Sequence, residues 1–314
     1  MKKKSYLLLS LLLISCQKNI ENVSIICPTG APAIAFYEQV QNQSFTTNSA
    51  PKNIISMMTN SSDKDIIVID TVSGINAINS GANFKIAATI TFGNFFIAST
   101  GNDDNGELDS TDKIVLFGEN QTPDYIFHYL YGDEFNQNIE YVGNAQDAAK
   151  VLASGKNPTT KNTIDYVFLA QPALFSVLNN KEAPTYQKAS IYANVQELYK
   201  QKSNNKEMIQ ASIFVKNNDD ETYNKKINNY LKSLKKSINN ALDNPEIIDK
   251  YISKISEEDA TSLYGINSKV AIKVLKDNNQ LGLGYKNAFS IKDSIDDFIG
   301  LFNIEKTNEE IYYK

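Results

Sequence analysis

The sequence predicts an α/β fold in two lobes, each a mostly parallel sheet flanked by helices and joined to the other by crossing strands. Segments typical of buried strands alternate with segments typical of helices along most of the chain. Strands that alternate with helices indicate parallel sheets with helices on both faces. Prolines that begin helices support this pattern, because the first helical position needs no N–H: Pro32, Pro51, Pro123 and Pro172.

The first strand–loop–helix unit spans residues 23–39, VSIICPTGAPAIAFYEQ. Its apolar run, residues 23–27, is typical of a strand buried on both faces. The turn that follows contains Gly30, and Pro32 sits where a helix begins. This turn is expected at the carboxyl end of a strand, where open α/β sheets bind ligands and helix N-termini offer free N–H groups.

Further units of the same kind follow along the chain. They are expected at residues 65–79, 113–131, 139–152 and 164–178. Residues 84–100 are predicted to form two consecutive strands around Gly93. A helix is predicted at 195–202, before a late strand at 211–216. Further helices are predicted from 219 onward and at 245–254, 268–276 and 291–302.

Two blocks of units and a late strand predict two lobes. The predicted limits are 23–99 with 212–302 for the first lobe, 100–211 for the second, and 303–314 for a charged tail that frays. The chain is expected to cross to the second lobe near 99–112 and to return near 211–216.

Composition excludes some classes of partner. The net charge is −5 and no basic cluster lies inside the body of the chain, so no nucleic-acid partner is expected. The acidic loop 101–111 has incomplete EF-hand spacing, and no metal or cofactor is expected. We expect Cys27 to be a buried apolar residue and His128 a structural one, and no catalytic residue is predicted.

The N-terminus has the pattern of a secretion signal. Lys2, Lys3 and Lys4 precede an apolar stretch, residues 6–14, that is too short to span a bilayer, and Cys16 closes the motif Leu-Ile-Ser-Cys. This pattern resembles the lipobox of bacterial lipoproteins. The resemblance implies a signal peptide at 1–15, lipidation of Cys16, a tether at 16–22 and a location on the outer face of the cell membrane. The alternatives are an ordinary secretory signal and a single transmembrane anchor.

The chain resembles the type II periplasmic binding proteins, and among them the solute-binding lipoproteins of ABC importers for nitrate, sulfonates, taurine and thiamine precursors. The resemblance rests on residues 28–32 (PTGAP), Asp70-Thr71 and residues 165–172 (DYVFLAQP). It implies a monomeric protein that is not an enzyme, with a small-molecule solute and an ABC permease as partners. The cysteine and histidine constellation of enzymatic or iron-binding relatives is missing here.

The candidate binding site is the set of loops at the strand ends that face the cleft. We predict that it consists of Thr29, Gly30, Ala31, Asn48, Ser49, Asp70, Thr71, Thr91, Phe92, Glu119, Asn120, Gln121, Asn144 and Gln171. The alternative for Thr71, Thr122 and Asn144 is that they only cap helices.

The residue types at these loops favour a neutral, cationic or aromatic solute. The sequence contains no arginine, the side chain best shaped to clamp a carboxylate or sulfonate. Asp70 and Glu119 offer acceptors for N–H donors. A stacking wall is expected from nearby aromatic residues: Tyr37, Phe92, Phe95 and Phe96. A thiamine-type pyrimidine or another heteroaromatic amine fits this set.

Two other functions stay open at this point. One is a lipid-anchored enzyme, although the sequence has no G-x-S-x-G, H-E-x-x-H or Walker motif. The other is a surface lipoprotein that contacts proteins and needs no cleft.

Overall fold

The computed structural model describes residues 23–60, 63–103 and 105–314. The predicted signal peptide, the tether and Cys16 lie outside these residues. Two sheets form the centre of the molecule. The strands of the first are β1 (Ile25–Pro28), β2 (Phe45–Asn48), β3 (Ile66–Asp70), β4 (Phe84–Thr91), β10 (Ala211–Lys216) and β11 (Leu283–Asn287). Those of the second are β5 (Phe95–Ser99), β6 (Ile114–Phe117), β7 (Ile139–Val142), β8 (Tyr166–Ala170) and β9 (Ser190–Asn194).

Helices cover these sheets. They are α1 (Ala31–Ile34), α2 (Pro51–Thr59), α3 (Thr71–Asn79), α4 (Thr122–Tyr131), α5 (Ala145–Ser154), α6 (Ala173–Leu178), α7 (Val195–Lys202), α8 (Glu221–Asp243), α9 (Ile247–Ile252), α10 (Glu257–Tyr264), α11 (Ser268–Lys276) and α12 (Lys292–Gly300). Short 3-10 turns lie at Tyr37–Gln39, Phe289–Ile291 and Glu309–Ile311.

The first sheet has the strand order β11-β4-β10-β3-β1-β2. β1 is parallel to both β2 and β3, as the first strand–loop–helix units predict. β10 runs antiparallel between β3 and β4, and β11 runs antiparallel to β4. β10 is reversed because it returns from the other sheet without a helical crossover on the same sheet.

The second sheet has the order β7-β6-β8-β5-β9. β6 is parallel to β7 and β8, whereas β5 is antiparallel to β8 and β9. Each sheet therefore has a majority of strands in one direction, with β10 and the edge strand β11 reversed in the first sheet and β5 reversed in the second. The predicted α/β fold with two lobes is confirmed, with mixed sheets.

The predicted crossing point is wrong. Residues 95–99 were expected in the first lobe, but Phe95–Ser99 pairs with β8 and β9 of the second sheet. The chain crosses at residues 92–94 instead of 99–112, because Phe92 N still bonds to the Gly282 carbonyl beside the first sheet, whereas Phe95 already pairs with β8 of the second sheet. The remaining limits of the lobes stay a prediction.

The C-terminal tail is also different from its prediction. Tyr312 is 1% exposed and Tyr313 is 7% exposed. Tyr313 N donates to the carbonyl of Ile86 in β4, and the Thr307 hydroxyl donates to Asp296 in α12. The expectation that the tail frays is wrong, because its aromatic side chains add buried apolar surface to the first lobe.

The sequence patterns missed three elements: β9, α10 and β11. The first three residues of β9, Ile191 and Tyr192 among them, are exposed, so β9 lacks the apolar run of a buried strand. No helix in the described ranges is long and apolar enough to cross a membrane.

Candidate functional site

A cavity of about 120 Å³ lies between the two lobes. The first lobe and the crossing segments contribute Pro28, Thr29, Gly30, Ala31, Pro32, Ser49, Pro51, Ile69, Asp70, Asn94, Gln210, Ala211, Gly265 and Ile266. The second lobe contributes Phe95, Phe117, Gln121, Thr122, Pro123, Asn144, Ala145, Gln146, Ala170, Gln171, Pro172 and Ala173. The wall is thus built from strand-end loops of both sheets, as open α/β sheets place their ligand sites.

The turn after β1 forms one side of the cavity. Gly30 adopts a φ of 98°, a region that favours glycine, and its N–H donates to the carbonyl of Tyr264 at 2.9 Å. Thr29 Oγ1 accepts a hydrogen bond of 3.0 Å from Gln146 Nε2 of the second lobe. The turn after β1 therefore contacts both the helical layer of its own lobe and the opposite lobe.

Asp70 stands at the junction of β3 and α3. Its Oδ1 caps α3 by accepting from Ser73 N at 3.0 Å, and it also accepts from Thr122 Oγ1 of the second lobe at 2.8 Å. Oδ2 is buried and has no hydrogen-bond partner among the described residues. Burial raises the pKa of Asp70, while the hydrogen bonds from Ser73 and Thr122 work in the opposite direction.

Amide side chains form the floor of the cavity beside the crossing segments. Asn94 Nδ2 donates to the carbonyl of Gln171 at 2.8 Å, and Gln210 Nε2 donates to Asn94 Oδ1 at 2.6 Å. Gln171 Nε2 donates to Gln280 Oε1 at 2.8 Å, and its Oε1 accepts from Phe175 N. These groups already have partners, in contrast to Oδ2 of Asp70.

The rest of the wall is mostly apolar. Phe95 and Phe117 meet edge to face with ring centroids 6.0 Å apart. Proline and alanine side chains from several loops surround them. Within the described ranges, the wall includes no lysine, and the whole chain has no arginine. Asp70 is therefore the charged group of this site.

The structure brings several of the predicted site residues together around the cavity. They are Thr29, Gly30, Ala31, Ser49, Asp70, Gln121, Asn144 and Gln171. Their role in binding stays a prediction. Asn144 also caps α5 by accepting from Asp147 N at 2.9 Å, as the helix-cap alternative states.

The structure places three of the other predicted residues outside the cavity wall, in local structural contacts. Asn48 accepts from Ala50 N at the start of α2. The hydroxyl of Thr71 is buried against Ser212 of β10 at 2.7 Å, and Thr91 accepts from Ala211 N at 3.1 Å. These side chains stabilise strand ends and a helix start.

Phe92, Glu119 and Asn120 also lie outside the wall. Phe92 contacts Gly284 and lies under Lys286, on a second surface cavity of about 410 Å³ beside the crossing segment. Glu119 and Asn120 are exposed at the tip of the turn before α4. That turn bends away because Asn120 adopts a φ of 59° and its N–H donates to Asp124.

The predicted stacking wall is only partly present. Phe95 lines the cavity, but Phe96 and Tyr37 are 4% and 0% exposed in the hydrophobic cores of their lobes. Phe96 points away because neighbouring strand residues face opposite sides of the sheet. Phe117, which sequence reasoning did not select, takes the second aromatic place.

Sequence reasoning also missed Asn94, Gln146 and Gln210. Gln146 follows the predicted residue Asn144 by two positions, so the start of α5 was a usable signal for it. Asn94 lies in the crossing segment 92–94, which the predicted crossing point misplaced, and Gln210 lies one residue before the predicted return strand 211–216.

His128 and Cys27 lie outside the cavity wall. His128 Nε2 contacts Asn136 Oδ1 at 2.8 Å, and Nδ1 contacts the Asp124 carbonyl at 3.0 Å. Burial lowers the pKa of His128, but the contacts with Asp124 and Asn136 outweigh it and raise the pKa overall. Cys27 is fully buried in β1, which raises its pKa. Among the described residues, no group of three or more His, Cys, Asp or Glu could hold a metal ion.

Comparisons with known proteins agree with this architecture. No family model and no curated protein matches the sequence. Among solved structures, an ABC transporter protein from Parabacteroides distasonis is 17% identical with a TM-score of 0.64, over 90% of this chain and 91% of that chain. The chain shares the fold of ABC-importer binding proteins.

Two further structures show the same similarity. The zinc-bound ligand-binding component of an ABC-type import system from Staphylococcus aureus is 9% identical with a TM-score of 0.64, over 93% of this chain and 96% of that chain. The periplasmic aliphatic sulphonate binding protein from Escherichia coli is 11% identical with a TM-score of 0.57, over 93% and 92%. At these identities the likeness concerns the fold.

Proposed function

We propose that this protein is an extracytoplasmic solute-binding protein that captures a small solute between its lobes and delivers it to an ABC permease in the membrane. The observation that carries the proposal is the cavity between the two sheets, because loops from the strand ends of both lobes line it. A site shared by two lobes lets a solute draw them together, and the closed form can then be recognised by a partner.

A lipid anchor at Cys16 is part of this proposal. It is supported by the sequence alone, through the three lysines, the apolar stretch and the Leu-Ile-Ser-Cys motif of residues 13–16. The anchor would hold the protein on the outer face of the membrane, close to its permease.

The chemistry of the cavity favours a solute that donates hydrogen bonds from nitrogen. Oδ2 of Asp70 is a buried acceptor with no hydrogen-bond partner in the ranges that the structure describes, and such a group is costly unless a donor satisfies it. An amino group or a protonated ring nitrogen supplies that donor. A sulfonate would instead bring a second negative charge next to Asp70, so we infer a different specificity from that of the E. coli neighbour.

The size and wall of the cavity narrow the solute further. Its volume of about 120 Å³ is below the range of about 300–1,000 Å³ found for drug-sized ligands. Phe95 and Phe117 line the same cavity as Asp70 and offer ring surfaces. A single-ring heteroaromatic amine, such as a thiamine-type aminopyrimidine, fits these properties.

A thermal-shift screen of the full chain tests the proposal. The panel contains the thiamine-type aminopyrimidine, a polyamine, taurine and nitrate. A bound solute at about one hundred times its Kd stabilises the folded state by about 2.7 kcal/mol, which raises the Tm measurably. We expect a shift with the aminopyrimidine and none with taurine or nitrate. No shift with any small solute, together with turnover of an ester or phosphate panel, would favour a lipid-anchored enzyme instead.

A further inference from the structure

We propose that Thr122 is a positioning residue whose hydrogen bond to Asp70 couples recognition of the solute to closure of the lobes. The inference rests on the proposed function, since it concerns the same cavity. From sequence alone, the alternative for Thr122 is a helix cap. In this proposal the Asp70 carboxylate both accepts from the solute and holds the lobes together through Thr122.

Thr122 directs its hydroxyl across the cleft. Thr122 is the first residue of α4 and is fully buried, and the N-cap position of this helix belongs to Gln121. The hydroxyl of Thr122 donates to Asp70 Oδ1 at 2.8 Å. Asp70 belongs to the first lobe and Thr122 to the second, so this hydrogen bond requires the two lobes to be close together.

Two hydrogen bonds to Oδ1 fix the orientation of the Asp70 carboxylate. Oδ1 of Asp70 accepts one donor from its own lobe, Ser73 N, and one from the opposite lobe, Thr122 Oγ1. Two donors on one oxygen fix the plane of the carboxylate and leave the other oxygen for the solute. Because the acceptor is charged, the hydrogen bond from Thr122 is stronger than one between neutral groups.

The Thr122 hydrogen bond and the burial of Asp70 Oδ2 have opposite effects on the equilibrium between the open and closed forms. In the closed form Thr122 favours closure, but Asp70 Oδ2 is removed from water with no hydrogen-bond partner in the described part of the chain, which opposes closure. A solute N–H removes this penalty and leaves the Thr122 contact as a net gain. The solute therefore stabilises the closed form relative to the open form, as a ligand that shifts a conformational population must do.

Hydrogen exchange measured by mass spectrometry on the full chain without solute tests this coupling. Thr122→Val keeps the shape of the side chain and removes the donor, and Thr122→Ser restores the donor. The matched control is Thr100→Val, since Thr100 is also fully buried but its hydroxyl bonds to the carbonyl of Ile164 within the second lobe.

We expect Thr122→Val to accelerate exchange in cleft segments of both lobes, residues 29–34 and 144–148, while the core strands keep their protection. Thr122→Ser should exchange like wild type, and Thr100→Val should leave the cleft segments unchanged. In an Asp70→Ala background, Thr122→Val should add no further effect, because the acceptor is absent. Unchanged cleft exchange in Thr122→Val, or the same pattern in Thr100→Val, would overturn the inference.

A titration with the thiamine-type aminopyrimidine completes the test. Loss of a hydrogen bond to a charged group should weaken binding by about tenfold or more in Thr122→Val. Thr122→Ser should bind within about threefold of wild type, because a hydrogen-bond donor remains. If wild type binds no solute of the thermal-shift panel, the proposed function fails, whereas the exchange experiment still decides whether Thr122 controls closure.

Discussion

Gly282 lies directly against the backbone of Gly93. A Cβ atom at Gly282 would come within 2.4 Å of the Gly93 carbonyl oxygen, and Phe92 N donates to the Gly282 carbonyl at 2.8 Å. Gly93 belongs to the segment that crosses between the lobes, and Gly282 precedes β11 at the edge of the first sheet. The crossing segment is therefore held at a fixed place by close backbone contact.

We predict that Gly282→Ala destabilises the fold beyond the ordinary cost of a left-handed residue. Any alanine at a left-handed position costs about 1–2 kcal/mol, and here the new methyl group also meets backbone atoms that cannot rotate away. The free energy of unfolding, measured by urea denaturation, should fall by at least about 2 kcal/mol.

Gly106→Ala is the control for this prediction. Gly106 has a φ of 76°, but a Cβ atom there meets nothing within 4 Å. It should show the backbone cost alone. Equal losses for both variants would show that the contact between Gly282 and Gly93 is unimportant.

The position of this crossing segment could not be predicted from sequence. The run of residues 84–99 contains two strands around a glycine, which is the pattern of a hairpin. The individual strands and most helix starts were predictable, since apolar runs and prolines report local preferences. The assignment of β5 to the other sheet depends on its pairing with β8 and β9, which are distant in sequence.

We predict that Asp70→Asn raises the stability of the empty protein at neutral pH. Burial raises the pKa of Asp70 in the folded state above its value in the unfolded chain. The folded state then holds its proton more tightly, so the free energy of unfolding falls as pH rises from the unfolded pKa through the folded one. Asparagine can still cap α3 and accept from Thr122, but it carries no charge.

Urea denaturation at several pH values checks this prediction. The gain of Asp70→Asn should be at least about 1 kcal/mol near pH 7, because a buried charge costs more than a buried neutral amide, and should vanish below the ordinary aspartate pKa of about 3.9. Asp293→Asn, a change at an exposed residue of α12, is the control and should change little. A loss of stability at neutral pH in Asp70→Asn would contradict this view of the carboxylate.

The buried tail gives a further prediction. Tyr312 is 1% exposed, and its hydroxyl lies 2.7 Å from Thr307 Oγ1. Tyr312→Ala should lower the free energy of unfolding by about 3–5 kcal/mol, as for other large buried side chains. Met57→Ala removes a side chain that is 38% exposed and should cost less than about 1 kcal/mol. A loss below about 1 kcal/mol for Tyr312→Ala would instead support a frayed tail.

Membrane attachment is predicted to depend on Cys16. In a bacterial host, mass spectrometry of the membrane fraction should find a diacylated peptide that begins at Cys16. Cys16→Ser should leave the precursor unprocessed or release the protein, whereas Cys27→Ser should keep the anchor, because Cys27 is buried in β1. Normal processing of Cys16→Ser at the membrane would exclude lipidation at this residue.

Sequence reasoning found part of the candidate site for a physical reason. Thr29 and Gln171 follow strands directly and Asp70 is the last residue of β3, and strand ends of a parallel arrangement converge at one edge. Glu119 has the same position in the pattern, yet the left-handed turn at Asn120 carries it to the surface. Gln146 enters the wall through its contact with Thr29, which only the packing of the two lobes creates.

Calorimetric titration of wild type and Asp70→Asn with the thiamine-type aminopyrimidine and with taurine tests the central claim most directly. The account predicts that wild type binds the aminopyrimidine and not taurine. It also predicts that Asp70→Asn weakens aminopyrimidine binding by about tenfold or more, because a charge-assisted hydrogen bond is lost. Tight binding of taurine, unchanged in Asp70→Asn, would contradict the account.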